Sequence, residues 1–336
     1  SRPAASGTGC EASTTSMRSG RPAGRDGEDE NTLKAAIAFK NSKLGIPILV
    51  GKESKIKEQI EKIGYDDHFD FEITNSTDNL KREKYTKFLF KKLQREQGLL
   101  EWDCDRLVRN DRVTWASCMV ACGDADGAVT GNTRRFGASF EKVKQVVGAR
   151  DGEIMFGMNL VVHEGKTIFV ADTSVHEWPT SEQLSQIAKS AARVVRLFGF
   201  DPKVAFVSHS TFGQPITSRT EQIREAVEIL KKQKVDFEFD GDMQPDVALN
   251  TEYQKLYPFS KIVGNANILI MPGQHAASIS YKMIKAFGDS KVIGPLLIGL
   301  GLPIEIAPLR CSTSEILNLA SIAAYSSDII DYNLKN

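Results

Sequence analysis

The chain has 336 residues, with 43 Lys and Arg against 43 Asp and Glu, and 41% of its residues are hydrophobic. That length fits two domains better than one, and the hydrophobic share excludes a wholly disordered chain. Zero formal charge excludes the broadly basic surface that nucleic acid or an anionic membrane needs, and no apolar run approaches the roughly 18 residues of a membrane span.

Residues 1–24 hold no Leu, Ile, Val or Phe. Such a segment cannot offset its ordering entropy by burial, so it is expected to be a disordered tail or foreign sequence outside the fold. Helical spacing follows from Glu30 to Lys43, with the acidic run Glu28–Asp29–Glu30 at its positive end. Ile46–Val50, closed by Gly51, reads as a buried strand. The pattern then predicts a helix over 54–63, a strand from Phe69 to Ile73 and a long helix from Leu80 to Gln97. A helix over 112–122 runs through Gly123-Asp124-Ala125-Asp126-Gly127 into a strand at Ala128–Thr130, then a helix over 138–147. Ile154–His163 and Thr167–Ala171, separated by Glu164-Gly165, read as a hairpin. Helices over 180–198, 217–233, 274–287 and 312–325 alternate with strands over 203–208, 235–239, 266–271 and 292–299. That alternation implies an α/β fold with mainly parallel sheets covered on both faces.

Common catalytic signatures are missing: there is no phosphate-binding G-x-x-x-x-G-K-[ST] loop, G-x-G-x-x-G, C-x-x-C or G-x-S-x-G. The five cysteines (Cys10, Cys104, Cys118, Cys122, Cys311) are scattered and odd in number, and read as reduced thiols of a cytoplasmic protein. Cys118 and Cys122, four apart on an apolar helix, read as buried small residues, and no histidine spacing suits a metal. His68 and His163 read as surface residues, whereas His176, His209 and His275 fall at strand ends, where α/β proteins collect ligand groups. Three segments stand out together: Asp124–Gly127, Val207–Gly213 and Asn267–His275. Their carboxylates, hydroxyls and amides suit phosphate or carbonyl recognition, and equally suit turns and helix caps.

The order and spacing of Gly27–Glu30, Gly123–Gly127, Ala171–Val175, Ala205–Phe212, Ala266–Pro272, Ile279–Lys282 and Ile293–Pro295 resemble the phosphate acetyl/butyryltransferase family from about residue 27 to 330. Phe169–Thr173, Ser208–Gly213 and Asp240–Met243 most resemble the C-terminal domain of the large NADP-dependent malic enzymes, oxidoreductases whose catalytic part has no counterpart here. The resemblance implies two α/β domains, 25–147 plus 297–336 and 148–296, with a cleft between them, as in the isocitrate/isopropylmalate dehydrogenase architecture. It also implies a homodimer or larger homo-oligomer, and malic-enzyme domains N-terminal to this segment. Family members begin with an apolar strand before the Gly-Glu turn; Ser19–Gly24 cannot supply one, so a weakened first sheet edge is expected.

In active members, the coenzyme A thiol attacks acetyl phosphate, helped by an aspartate, arginines and a serine. By resemblance the Ser-Arg pair falls on Pro308 and Leu309, with Arg310 displaced by one. The aspartate falls on Glu315, the arginine after the Gly-Asp-Ala-Asp-Gly loop on Glu141, and the first-helix arginine on Asn31. Glu315 and Arg310 are therefore the residual catalytic candidates. Thr130, Arg135, Ser208, Ser210, Thr211, Asn267, Gln274, Ser278, Tyr281 and Lys282 are the expected contacts of acetyl-CoA or CoA, with no tightly bound cofactor and no metal. The implied function is a regulatory and oligomerisation module that binds acetyl-CoA without transferring its acetyl group. The alternative is an active phosphate acetyltransferase using Arg310, Arg135 and Arg134.

Overall fold

Apolar runs that end in glycine or a polar turn alternate with amphipathic helices, and their backbones pair into two sheets. The computed structural model of the chain describes residues 11–15, 29–65, 71–213 and 215–335. They divide into two units, one of residues up to 148 together with 300 onward, the other of residues 149–299.

Unit 1 comprises β1 (Glu11–Thr15), α1 (Glu30–Asn41), β2 (Ile46–Val50), α2 (Glu53–Ile63), β3 (Glu72–Thr74), α3 (Asn79–Gln97), α4 (Glu101–Asn110), α5 (Arg112–Ala121), β4 (Gly127–Gly131) and α6 (Phe136–Val146). Unit 2 comprises β5 (Phe156–His163), β6 (Lys166–Ala171), α7 (Ser181–Leu197), β7 (Lys203–Val207), α8 (Ser218–Gln233), β8 (Glu238–Met243), α9 (Pro245–Leu249), α10 (Thr251–Gln254), β9 (Ile268–Ile270), α11 (Gln274–Phe287) and β10 (Lys291–Ile298). The chain returns to unit 1 with β11 (Ile304–Ala307) and α12 (Thr313–Lys335).

The sheet of unit 1 is wholly parallel, in the order β11-β4-β1-β2-β3. Its central strand is a correction. The segment before residue 25 was expected to stay outside the fold, yet Glu11–Thr15 pairs with Ile46–Val50 on one side and with β4 on the other. The ladder needs only N–H and C=O groups, and a gap between β2 and β4 would leave two rows of them unpaired. An apolar side chain is not required for that pairing, and composition is blind to it. The Gly27-Glu28 turn, His68 and the start of the strand expected from Phe69 lie outside the described residues; the described part of that strand is Glu72–Thr74.

Helices start where short polar side chains can take their first N–H groups. Asp29 accepts from Thr32 N at the head of α1, and Asp78 from Leu80 N and Lys81 N at the head of α3. Asp111, at the junction of α4 and α5, accepts from Val113 N and Thr114 N. The Asp124 turn leads into the amino end of β4. There Tyr85 Oη and Lys84 Nζ both donate to Asp124, at 2.8 Å each, so this carboxylate ties α3 to the sheet.

Unit 2 has six strands in the order β10-β5-β6-β9-β7-β8. The β5–β6 hairpin turns at Glu164-Gly165, both with positive φ (47° and 75°), the hand that matches strand twist. β8 was expected at 235–239 and is found at Glu238–Met243. The strand runs on through two aspartates, and both are satisfied. Asp240 accepts from Lys261 N (2.8 Å), and the fully buried Asp242 accepts from Ser210 and Arg224. A core of Val161, Val170, Val207, Met243, Leu269 and Met271 lies on one face of this sheet.

Candidate functional site

In unit 1 the loops after β4 and β11 are joined to each other. A side chain at Gly131 would put its Cβ 2.2 Å from Ala307 O, and φ there is +100°, so only glycine lets the strands close. Asn132 N donates to Ala307 O (3.0 Å) and Arg310 N to Asn132 O (2.7 Å). The Asn132 amide donates to Asp29 Oδ2 (2.8 Å), which also takes Thr32 N, and the Asn31 amide donates to Cys311 O (3.1 Å). The heads of α1 and α12 are thus bound to the strand ends by their own polar groups.

Asn31, Pro308, Leu309 and Glu315, four positions that the resemblance singles out, fall at this knot, whereas Glu141 does not. Pro308 is half-buried and Leu309 is exposed at the loop tip beside the exposed Arg310. The Glu315 carboxylate accepts from Ser312 N and Ser312 Oγ, both at 2.8 Å, so it closes the first turn of α12. Glu141 is exposed on α6 and Arg135 is exposed at its N-cap, while Arg134 donates to Asp111 (2.9 Å). Thr130 is buried in β4, and its hydroxyl has no hydrogen-bond partner among the described residues.

In unit 2, Ser208, Ser210 and Thr211 come together in the loop after β7. Ser208 Oγ lies 3.4 Å from Ser210 Oγ. Ser210 Oγ donates to Asp242 (2.5 Å), and Arg224 donates to Asp242 through Nε (2.8 Å) and to Gly213 O through Nη2 (2.6 Å). Thr211 Oγ1 accepts from Gln244 N (3.0 Å). Burial alone would raise the Asp242 pKa, but the hydrogen bonds from Arg224 and Ser210 outweigh it and hold the carboxyl below its ordinary value. Across from this loop, Asp172 takes five contacts: Gly157 N, Ser174 N and Val175 N on Oδ1, and His176 N and Nδ1 on Oδ2. His176 is thereby a buttress of the loop after β6.

Between these loops and the head of α11 lies a cavity of about 420 Å³. Val207, Ile223 and Met271 form its apolar floor, with Ser208 beside them. At the rim Arg219 stacks on Trp178, 3.8 Å from the ring centroid, and His275 Nε2 meets Glu177 at 3.0 Å. Gly273 closes the approach of α11, since a Cβ there would meet Glu177 O at 2.4 Å. Gln274 lies in sequence between the lining residues Gly273 and His275 but is not itself part of the lining; its N–H donates to His176 O (2.8 Å).

Two expectations separate from the cavity. Asn267 stands at the opposite, amino end of the sheet; its amide donates to Asp201 O (2.7 Å) and accepts from Lys203 N (2.8 Å), so it splices β7 to β9. Ser278, Tyr281 and Lys282 lie further along α11, where Lys282 donates to Ser278 (2.8 Å) and lies over Tyr281. Trp178, Arg219 and Ile223 were not foreseen, and Met271 lies in the Asn267–His275 segment without having been named as a contact. Among the described residues no group of three or more His, Cys, Asp or Glu could hold a metal ion, and burial pushes the Cys118 thiol well up.

A family model described as phosphate acetyl/butaryl transferase matches residues 25–324. The NADP-dependent malic enzyme of Rhizobium meliloti is 44% identical over 303 residues, covering 90% of this chain and 40% of that enzyme. The chain thus spans less than half the length of that relative. The phosphate acetyltransferase of Clostridium acetobutylicum is 32% identical over 307 residues, covering 88% of this chain and 91% of the enzyme. A phosphotransacetylase structure from Streptococcus pyogenes superposes with a TM-score of 0.85 at 26% identity, over 96% of this chain and 95% of that one.

Proposed function

The chain belongs to the phosphate acetyl/butaryl transferase family, and from that premise we propose that it is the phosphotransacetylase-like part of an NADP-dependent malic enzyme, binding acetyl-CoA without transferring its acetyl group. The observation that carries this reading is the loop after β11. Pro308 offers neither a hydroxyl nor an N–H where the resemblance puts a serine, Leu309 offers no charge where it puts an arginine, and the Glu315 carboxylate is turned onto Ser312. Losing one preorganised donor to a developing charge costs roughly 10²–10³ in rate. Several such losses in one set take transfer below ordinary assay levels.

Binding needs less. The unit 2 cavity gives an acyl or ring group an apolar floor, and the Arg219–Trp178 stack offers a planar cation and an indole face at its rim. Acetyl-CoA occupancy would act on the attached malic-enzyme part through whichever conformation it prefers. A homodimer is supported by α11, where Ile279, Met283 and Phe287 are 59%, 52% and 80% exposed; three large apolar residues facing water on one helix suit a second copy. No helix among the described residues is long and apolar enough to cross a membrane.

The test is calorimetric titration of the chain with acetyl-CoA, wild type against Arg219→Ala and Met271→Glu. Saturable binding that both substitutions weaken at least tenfold supports the reading. No heat in the wild type would leave a structural module. Light scattering checks assembly: Phe287→Asp should halve the particle mass, and a monomeric wild type would refute the dimer.

A further inference from the structure

Unit 1 has a cavity of its own, about 520 Å³, where β2 and β3 end, on the far side of β1 from the β4–β11 loops. Three segments make its walls: Gly51–Ser54 after β2, Asn75–Thr77 after β3, and Arg109–Arg112 between α4 and α5. None of these residues enters the acetyl-CoA reading.

The walls are fixed before any ligand arrives. Gly51 N donates to Thr74 O (3.0 Å), the Asn75 amide donates to Gly51 O (3.1 Å), and Asn75 Oδ1 accepts from Thr77 N (2.8 Å). A Cβ on Gly51 would lie 3.8 Å from Arg112 Nη1, so the guanidinium lies against the bare backbone of that turn.

The charges of the lining are unequal. Lys52 and Arg109 contribute two exposed cations, and Arg112, which has interactions of its own, lines the cavity beside them. The two carboxylates are already engaged: Asp111 takes Val113 N and Thr114 N on Oδ1 and Arg134 on Oδ2, and Glu53 pairs with Lys57 at 2.6 Å. Lys52 is the N-cap of α2 and makes no side-chain cap, which leaves the positive end of that helix at the cavity wall. Ser54 and Ser76 add hydroxyls to the lining, while the Thr77 hydroxyl donates to Asn75 Oδ1 (2.5 Å).

We infer that this cavity binds a small phosphate ester carrying a hydroxylated body. The cations take the phosphate, for which guanidinium groups are suited by charge and by paired N–H donors. The Ser54 and Ser76 hydroxyls take the polar body, and the volume falls in the range of small-molecule sites, with more room than a bare phosphate fills.

Calorimetric titration of the full chain with ribose 5-phosphate, ribose and inorganic phosphate tests this. Ribose 5-phosphate should bind saturably, weaken as salt rises, and lose about tenfold in affinity for each of Lys52→Gln and Arg109→Gln. These side chains are exposed, so the two variants should keep the wild-type melting temperature; Arg112→Gln should lose more. Ribose should not bind. Inorganic phosphate binding at least tenfold more weakly supports the ester, and equal affinity would overturn it in favour of the free anion. No saturable binding of ribose 5-phosphate, or binding unchanged in all three variants, would overturn the site. So would displacement of ribose 5-phosphate by saturating acetyl-CoA, which would give the cavity to that ligand's own phosphates. Failure of acetyl-CoA to bind at all would leave this inference standing.

Discussion

Unit 2 is one uninterrupted stretch of chain, whereas unit 1 is closed by two distant pieces, a strand from residues 11–15 and a strand and helix from beyond residue 300. Their candidate sites differ in the same sense. In unit 1 the polar groups at the ends of β4 and β11 are turned onto one another, with Asp29 on Asn132, Asn31 on Cys311 and Glu315 on Ser312. In unit 2 the corresponding bonds build a loop and stop there, leaving an apolar floor with an indole, a guanidinium and two imidazoles around it. Four of the positions that the resemblance singles out, Asn31, Pro308, Leu309 and Glu315, lie at this knot, and the apolar cavity lies in unit 2.

The largest effect expected from this contrast is on folding. Deleting residues 1–24 removes the strand between β2 and β4, so unit 1 should lose its cooperative transition while unit 2 keeps its own. Calorimetric scans check this, and an unchanged unit 1 transition would show that Glu11–Thr15 adds nothing.

Next in size is the buried pair in unit 2. Arg224→Met leaves Asp242 fully buried opposite Ser210 alone, which costs about 3–5 kcal/mol and lowers the unit 2 transition by roughly 6–20 °C at neutral pH. The Asp242 pKa is lowered in the fold, so its stabilising contribution is present above the ordinary carboxylate value of about 3.9 and is lost as pH falls through the lower folded value. The gap between variant and wild type should therefore narrow below about pH 4. A gap that stays constant would assign the effect to lost packing of the Arg224 stem.

The smallest effect concerns Glu315. If its carboxylate serves α12, Glu315→Ala should lower stability by about 1 kcal/mol, or roughly 2–4 °C, and Glu315→Gln should recover much of that loss. A stable variant with altered acetyl-CoA affinity would return Glu315 to the ligand.

Much of the architecture was legible in the chain. The apolar run Ile46–Val50 with its closing glycine, the Glu164-Gly165 turn and the Thr180 and Thr217 helix starts carry local signals strong enough to survive in the fold. β1 was not legible, because Glu-Ala-Ser-Thr-Thr joins the sheet through its backbone. β8 runs further than the expected 235–239 because its two aspartates are satisfied by Lys261, Ser210 and Arg224, all distant in sequence. Ser208 and Gln274 could be found as polar residues flanking strands. Trp178, Arg219 and Ile223 could not, since the cavity exists only where four separate segments meet. Asn267 illustrates the converse: a strand-end amide looks like a ligand group and is consumed by the neighbouring strand.

The central claim is binding without transfer, and the most direct measurement follows thiol release from acetyl-CoA in the presence of inorganic phosphate, with the chain saturated as judged by calorimetry. The account predicts a calorimetric binding curve and thiol release at the rate of a protein-free control. Release within about a hundredfold of a typical enzyme median of roughly 10 s⁻¹, lost on Arg310→Ala, would contradict it and make the exposed Arg310 catalytic.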